Sequence, residues 1–175
     1  MAETVHARAQ TLGISCCIQG IQLQAGTQVF LGLANELVLC VLPEPQRIQE
    51  VPCAAGLVHF HPDAGLAQAT LARDHVERGV RFGAGTVLSW NEDGTLGAVL
   101  AAAAEHEGRL LPEGATLRFD AGGLLVSWSM HLDDGAEIDG IPCAGDSIAT
   151  FHADGQLERA TLAESVAIAA WTAPR

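Results

Sequence analysis

A sequence repeat of about thirty residues is the feature that most constrains the fold of this chain. Residues 140–163 read GIPCAGDSIATFHADGQLERATLA, and residues 50–72 read EVPCAAGLVHFHPDAGLAQATLA. Cys53 and Cys143 occupy the same place in the two copies, 90 residues apart. Turn glycines that continue this spacing stand at 26, 56, 85, 114 and 145. The chain therefore contains five copies of one unit, separated by 29–31 residues.

A fixed period of this length is typical of arrays whose units are too small to bury their own apolar face and must stack on neighbours. We expect residues 1–175 to form a single repeat-built domain. Its units are predicted to start near residues 20, 50, 79, 109 and 140. The segments 5–19 and 164–175 are expected to be half-unit caps, because an open stack presents unpaired strand edges at both ends.

Turn residues indicate that each unit is built of β-strands. Runs such as NEDG, HADG and HLDDG supply the positive φ and the local hydrogen bonds that tight reversals need. Short apolar runs lie between them at the spacing of an all-β protein. We predict stacked units of short antiparallel strands in an extended curved sheet or solenoid, with a closed β-barrel or sandwich as the alternative. Residues 96–111 favour helix by propensity, but the repeat assigns them to strands.

A resemblance rests on the fifth copy, IDGIPCAGDSIATFHADGQLERATLAE, residues 138–164. It resembles tandem repeats in uncharacterised proteins from high-GC bacteria and is more distantly similar to the β-hairpin repeats of MORN-type proteins. MORN units are shorter and contain a Tyr-x-Gly pattern, whereas this chain has no tyrosine. The resemblance implies a stacked β-hairpin architecture and brings no activity with it.

Composition excludes several classes of partner. The 21 acidic and 9 basic residues give a formal net charge of −12, which repels nucleic-acid phosphates and anionic membrane surfaces. We therefore expect no nucleic-acid partner. No apolar run approaches the roughly 18 residues that a membrane helix needs, and the N-terminus lacks a secretory signal pattern. These features predict a cytoplasmic protein without membrane contact.

The five cysteines contain no C-x-x-C pair, so neither a disulfide framework nor a zinc knuckle is indicated. The matching positions of Cys53 and Cys143 predict buried core thiols, since free cysteine is often buried. Strand alternation is expected to turn one of Cys16 and Cys17 outward.

His59 and His61 are the first candidate site residues. Side chains at i and i+2 on a strand share one face, with Phe60 turned into the core. Such a pair can act as general acid and base, or can ligate a metal if Asp63, His75 or His152 supplies a third ligand. Two ligands do not define a metal site, so we predict no metal and no cofactor. The simpler interpretation is a pair of solvated strand positions.

A second set of candidates follows the unit aromatics. His61, Asn91, Asp120 and His152 each come directly after Phe60, Trp90, Phe119 and Phe151 and just ahead of a turn. In a stack in register they form a polar column on one surface, which together with His59 gives our candidate binding residues. Turn chemistry explains the same pattern without a ligand, because these residue types tolerate left-handed or capping conformations. The four aromatics are predicted to be buried in equivalent places.

Two functions fit these features. The first is a non-catalytic binding module for a peptide or protein partner, with homo-oligomerisation through open strand edges as a further expectation. The second is a small natural-product tailoring enzyme, a cyclase or lyase, that uses His59 and His61. Binding is favoured because no catalytic constellation in the sequence is complete.

Overall fold

The fold consists of strands and turns. A computed structural model describes residues 8–163, which contain twenty strands and no helix. The strands are β1 (Arg8–Thr11), β2 (Cys16–Ile18), β3 (Ile21–Leu23), β4 (Gln28–Leu31), β5 (Leu37–Leu42), β6 (Gln46–Ile48), β7 (Val51–Phe60), β8 (Leu66–Leu71), β9 (His75–Glu77), β10 (Val80–Phe82), β11 (Val87–Trp90), β12 (Leu96–Val99), β13 (Ala104–His106), β14 (Arg109–Leu111), β15 (Thr116–Phe119), β16 (Leu125–Leu132), β17 (Glu137–Ile138), β18 (Ile141–Pro142), β19 (Ser147–His152) and β20 (Leu157–Arg159). The all-β prediction is confirmed, and residues 96–111 form strands β12, β13 and β14. Within 8–163 no helix is available that could cross a membrane.

Most of the strand residues belong to one 12-stranded sheet, called here the long sheet. Its strands follow the antiparallel path β1-β4-β5-β7-β8-β11-β12-β15-β16-β19-β20, with β6 paired beside the first residues of β7. The path is open, since β1 pairs only with β4 and β20 only with β19 in the described part of the chain. The extended sheet is therefore the correct form of the prediction, and the closed-barrel alternative is wrong.

Small two-stranded hairpins form a second layer. They are β2–β3, β9–β10, β13–β14 and β17–β18, and β6 with the start of β7 makes the fifth. Each repeat unit is thus one small hairpin followed by two long-sheet strands. The unit starts predicted near residues 20, 50, 79, 109 and 140 lie at the turns of these hairpins. The expected cap 164–175 and the first residues, 5–7, of the expected cap 5–19 lie outside the described residues, and the rest of the cap 5–19 contains β1 and β2.

The turns of the small hairpins explain why glycine recurs at one position of the repeat. In every one, both central residues have positive φ, the geometry of a type I′ turn that suits the twist of paired strands. The pairs are Gln19-Gly20, Gln49-Glu50, Arg78-Gly79, Glu107-Gly108 and Asp139-Gly140. Glycine takes the second position in four units. Glu50, with φ of 69°, is the exception.

The core lies between the two layers. One row of inward side chains crosses the long sheet in register, and all of it is buried: Val29, Cys40, Val58, Ala69, Leu88, Ala98, Leu117, Trp128 and Phe151. The hairpins cover this face, as the edge-to-face contact of Phe82 in β10 with Phe119 in β15 shows, with ring centroids 6.3 Å apart. Each unit therefore buries its apolar side chains against the opposite layer and its neighbours.

The predicted burial of the unit aromatics is confirmed for three of the four, but Phe151 lies in the register row of Leu117 and not in that of Phe119, so their places are not all equivalent. Phe60, Phe119 and Phe151 are buried at 6%, 0% and 7% exposure. Trp90 is only half-buried and packs against the edge of the core, so its predicted full burial is wrong. Its indole lines the surface cleft described below.

Candidate functional site

Five turns join the paired long-sheet strands of the units, and together they form one border of the molecule, called here the turn edge. They are residues 32–36, 61–65, 91–95, 120–124 and 152–156. All five have the same hydrogen bonds: the first residue donates its N–H to the carbonyl of the fifth, and the fourth donates to the first, at 2.8–3.0 Å. This shared geometry gives the turn edge a backbone that is fixed without any ligand.

His61, Asn91, Asp120 and His152 all stand at the first position of these turns. Asn91 donates from its amide nitrogen to the Thr95 hydroxyl at 2.8 Å, and Asp120 accepts the N–H of Leu124 at 2.9 Å. The His152 side chain is exposed. Asn91 and Asp120 therefore brace their own turns, which is the turn chemistry expected of these residue types.

His61 differs from the others because its side chain reaches the next turn. Its Nε2–H donates to the backbone carbonyl of Trp90 at 2.6 Å. The opposite ring nitrogen, Nδ1, lies 3.8 Å from Oε1 of Glu92. One imidazole thus joins the turn of the second unit to the turn of the third.

A cleft of about 460 Å³ lies between these two turns. Its walls are formed by His61, Pro62, Asp63, Gly65, Leu66, Trp90, Asn91, Glu92 and Gly94. The Glu92 carboxylate is 74% exposed at the mouth. Asp63 is fixed there by the N–H of Gly65, which it accepts at 2.9 Å. The cleft combines apolar walls with two carboxylates.

His59 and His61 have different surroundings. Phe60 is buried between them, as predicted. His59 is half-buried on the face of the long sheet that points away from the hairpins, in register with Leu39 and Gln68. His61 begins the turn and lines the cleft, whereas His59 is not among the cleft residues. A register shift between His59 and Phe60 marks the bend where the strand passes into the turn.

Residues that the sequence argument missed fix the turn edge from the hairpin layer. Gln49 donates to the carbonyl of Ala64 at 2.7 Å and accepts the N–H of Leu66 at 3.0 Å, so it holds one wall of the cleft. Gln19 similarly accepts the N–H of Leu37 at 2.7 Å. Gln19 and Gln49 occupy the same position in the repeat, the first residue of a small-hairpin turn. Alignment of the repeats would have identified this shared position.

Two arginines make similar bridges in the later units. Arg78 donates to the carbonyls of Gly94, at 2.6 Å, and Asp120. Arg109 donates to the carbonyls of Ala153, at 2.7 Å, and Asp154. Because each guanidinium carries several donors in one plane, Arg109 holds two carbonyls of the turn 152–156, and Arg78 joins the turn 91–95 to the turn 120–124. The turn edge is therefore braced along most of its length.

Further polar side chains face the space between the layers in the third and fourth units. His75 Nε2 lies 3.4 Å from Glu77 Oε2 across the inward side of β9. The His106 ring packs edge-on against Phe119, with centroids 6.0 Å apart, and borders two smaller cavities of about 280 and 300 Å³. No group of three or more metal-ligating side chains comes together among residues 8–163.

Electrostatic effects at these sites have local causes. Hydrogen bonds from the hydroxyl and the backbone N–H of Thr95 lower the pKa of Asp93 in the turn 91–95. The predicted burial of Cys53 and Cys143 is confirmed, and Cys17 is the exposed member of its pair. Burial raises the pKa of Cys40 to about 12, with a smaller contribution from Cys53, whose own pKa burial raises to about 11. These thiols are core residues.

Comparison of the chain with protein-family models, with curated proteins and with solved structures found no match.

Proposed function

We propose that this protein is a non-catalytic binding module that holds a peptide segment of a partner protein at its turn edge. The cleft between the turns 61–65 and 91–95 carries the proposal. Its volume of about 460 Å³ lies within the range of small-ligand sites and suits one or two side chains of a peptide. His61, Asn91 and Glu92 belong to it, so two of the predicted binding residues contribute.

The cleft is formed before any partner arrives. The contact of His61 with the Trp90 carbonyl joins its two walls, and Gln49 holds the turn 61–65 from the hairpin layer. A site that is already ordered avoids the conformational entropy that a flexible loop loses on binding. This rigidity favours recognition of a short segment with few contacts.

The negative charge around the cleft indicates which class of peptide segment it binds. Glu92 and Asp63 stand at the mouth of the cleft, and the chain as a whole has a net charge of −12. Such a surface attracts cations and repels anions during encounter. A lysine or arginine side chain can place its methylene stem along Trp90 and Leu66 while its charged end meets Glu92. The expected ligand is therefore a basic peptide segment.

The alternative, a tailoring enzyme, requires His59 and His61 to act as a pair. Their different surroundings give this alternative no support beyond the sequence pattern, since His61 is engaged with Trp90 and Glu92 while His59 lies on the sheet face. Substitution of His59 and His61 tests this alternative.

Binding can be measured with three labelled decapeptides of equal length that are basic, neutral and acidic. Fluorescence anisotropy should detect the basic peptide, with affinity that falls as salt is added. Glu92→Gln should weaken binding about two- to fivefold, the range expected for one largely exposed charge contact. Glu113→Gln is the matched control, because Glu113 is an exposed glutamate in the turn between β14 and β15, at the opposite border of the long sheet.

The proposal fails if the basic peptide binds no better than the acidic one. It also fails if Glu92→Gln and Glu113→Gln weaken binding equally, since the attraction would then be a property of net charge and not of the cleft.

A further inference from the structure

The outward face of the long sheet, on the side away from the small hairpins, has no covering layer among residues 8–163. Two rows of outward side chains cross it, the first in register throughout and the second with a break between Leu57 and Thr70, where the pairing of β7 with β8 is irregular. The first row is Ala9, Phe30, Leu39, His59, Gln68, Ser89, Gly97, Arg118, Ser127 and His152. The second contains Thr11, Gln28, Val41, Leu57, Thr70, Val87, Val99, Thr116, Ser129, Thr150 and Arg159.

Neither row contains an aspartate or a glutamate. In a chain with 21 acidic and 9 basic residues this is a strong local departure, because acidic side chains otherwise occur throughout the turns and hairpins. Arg118 and Arg159 are the charged members of the rows, and serine, threonine and glutamine supply most of the polarity. Depletion of charge is the compositional sign of a protein–protein interface.

The half of this face formed by units 1 to 3 carries six large apolar side chains among polar, uncharged ones. Phe30, Leu39, Val41 and Val87 are half-buried, and Leu57 and Val99 are 57% and 46% exposed. Contiguous exposed apolar surface on a sheet marks an interaction site more often than an accident of composition. Water contact with these side chains is unfavourable, and a cover of similar chemistry would remove it.

We propose that the outward face packs against the same face of a second copy of the chain. Charge permits a second copy at this face, because the two rows lack the acidic residues that would make an identical molecule repel it elsewhere. The pairing is isologous, so each apolar half meets its equivalent. Two sheets with the same twist pack face to face with strand directions about 30° apart.

The available area is sufficient for a dimer. The first row crosses ten strands spaced about 4.8 Å apart, and two outward rows extend about 13 Å along the strands. This gives about 600 Å² of flat area per copy, or about 1,200 Å² for the pair, at the lower limit of specific interfaces. A reversible dimer with micromolar affinity is expected from an interface of this size.

Face-to-face packing leaves the peptide cleft of each copy free. The cleft beside His61 lies in the turns 61–65 and 91–95, at the ends of the strands and not on their faces. The dimer therefore does not rest on the proposed peptide site, and it would present two such clefts. Glu92→Gln should leave dimerisation unchanged, so the two proposals can fail separately.

Sedimentation velocity of the full chain from about 1 to 100 µM tests the dimer. The wild type should shift from the 18.3 kDa monomer to a dimer, and added salt should strengthen the dimer by screening the net charge of −12. Leu57→Glu and Val99→Glu should each raise the dimer dissociation constant at least tenfold. Leu110→Glu is the matched control, since Leu110 is 72% exposed on the hairpin layer, and it should dimerise like the wild type.

Thermal melts establish that each variant is folded, and a melting temperature close to that of the wild type is expected because both substituted residues are exposed. A wild type that stays monomeric throughout overturns the proposal. Equal dimerisation of Leu57→Glu, Val99→Glu and Leu110→Glu overturns it as well. Growth beyond the dimer also contradicts it, because pairing of β1 with β20 through the open edges is head-to-tail and does not close.

Discussion

The residue at position 50 provides the sharpest test of how the repeat specifies its backbone. Four small-hairpin turns have glycine at their second position, with φ between 76° and 82°, whereas the second unit has Glu50 at φ 69°. A side chain in this left-handed region crowds its own carbonyl, and glycine does not. We predict that Glu50→Gly stabilises the fold.

The magnitude follows from three contributions. Release from the left-handed region contributes about 1–2 kcal/mol. The greater freedom of glycine in the unfolded chain offsets about 0.5–1 kcal/mol of this gain. The Arg47–Glu50 ion pair, 3.0 Å long with both side chains more than half exposed, offsets a few tenths more. The net expectation is a gain of about 0.5–1 kcal/mol.

Urea unfolding measures this change as a rise in midpoint at unchanged slope. Gly79→Ala, at φ 77° in the equivalent place, is the control. A Cβ there meets no atom within 4 Å, so any loss comes from the backbone alone, and about 1 kcal/mol is expected. Arg47→Ala isolates the ion pair. Loss of stability in Glu50→Gly, together with no loss in Gly79→Ala, would refute the argument.

Two further predictions concern the core. Phe151→Ala should cost about 3–5 kcal/mol in urea unfolding, because Phe151 is buried and stacked on Trp128 with ring centroids 4.1 Å apart, and a loss below about 1 kcal/mol would contradict this assignment. Raising the pH above about 9 should destabilise the fold, because unfolded thiols then release protons while the raised pKa values of Cys40 and Cys53, about 12 and 11, keep them neutral when folded. The slope is about 1.4 kcal/mol per pH unit and thiol, and Cys53→Ala should remove its share between pH 9 and 11.

The repeat predicts the backbone well because turn chemistry is local. Positive φ at Gly20, Gly79, Gly108 and Gly140 fixes where each hairpin reverses, and the period then fixes the order of the strands. Division of each unit into two layers was not predictable from these signals. The strands near Gly26 and Gly85 end at turns that send the chain from one layer to the other, and the sequence gives no sign of which pairs become neighbours.

The site was only partly predictable for a related reason. Position in the turn places His61, Asn91 and Asp120 at one border, as their spacing indicates. Spacing does not specify that His61 reaches the next turn while Asn91 bonds within its own. That choice depends on the contact distance between two neighbouring units. Trp90 is likewise half-buried because of its neighbours and not because of its place in the repeat.

Inward positions beside the hairpin turns show where the units are free to differ. The first two units have apolar side chains at these places, Ile18 and Ile21, then Ile48 and Val51. The third unit has Glu77 opposite Val80, and the fourth has His106 opposite Arg109.

Polar side chains can replace an apolar pair at these positions because the positions lie next to the turn edge. A side chain such as Arg109 can extend from here to the turn edge and donate hydrogen bonds to the carbonyls of a neighbouring turn. The inward rows deeper in the sheet lie farther from solvent and are apolar apart from the buried Thr27 and Thr86, since a buried polar group costs free energy unless it finds a partner. Stacking of the units therefore keeps the deep inward rows mainly apolar. Residues beside the turn edge can be polar in one unit and apolar in the next without loss of the fold.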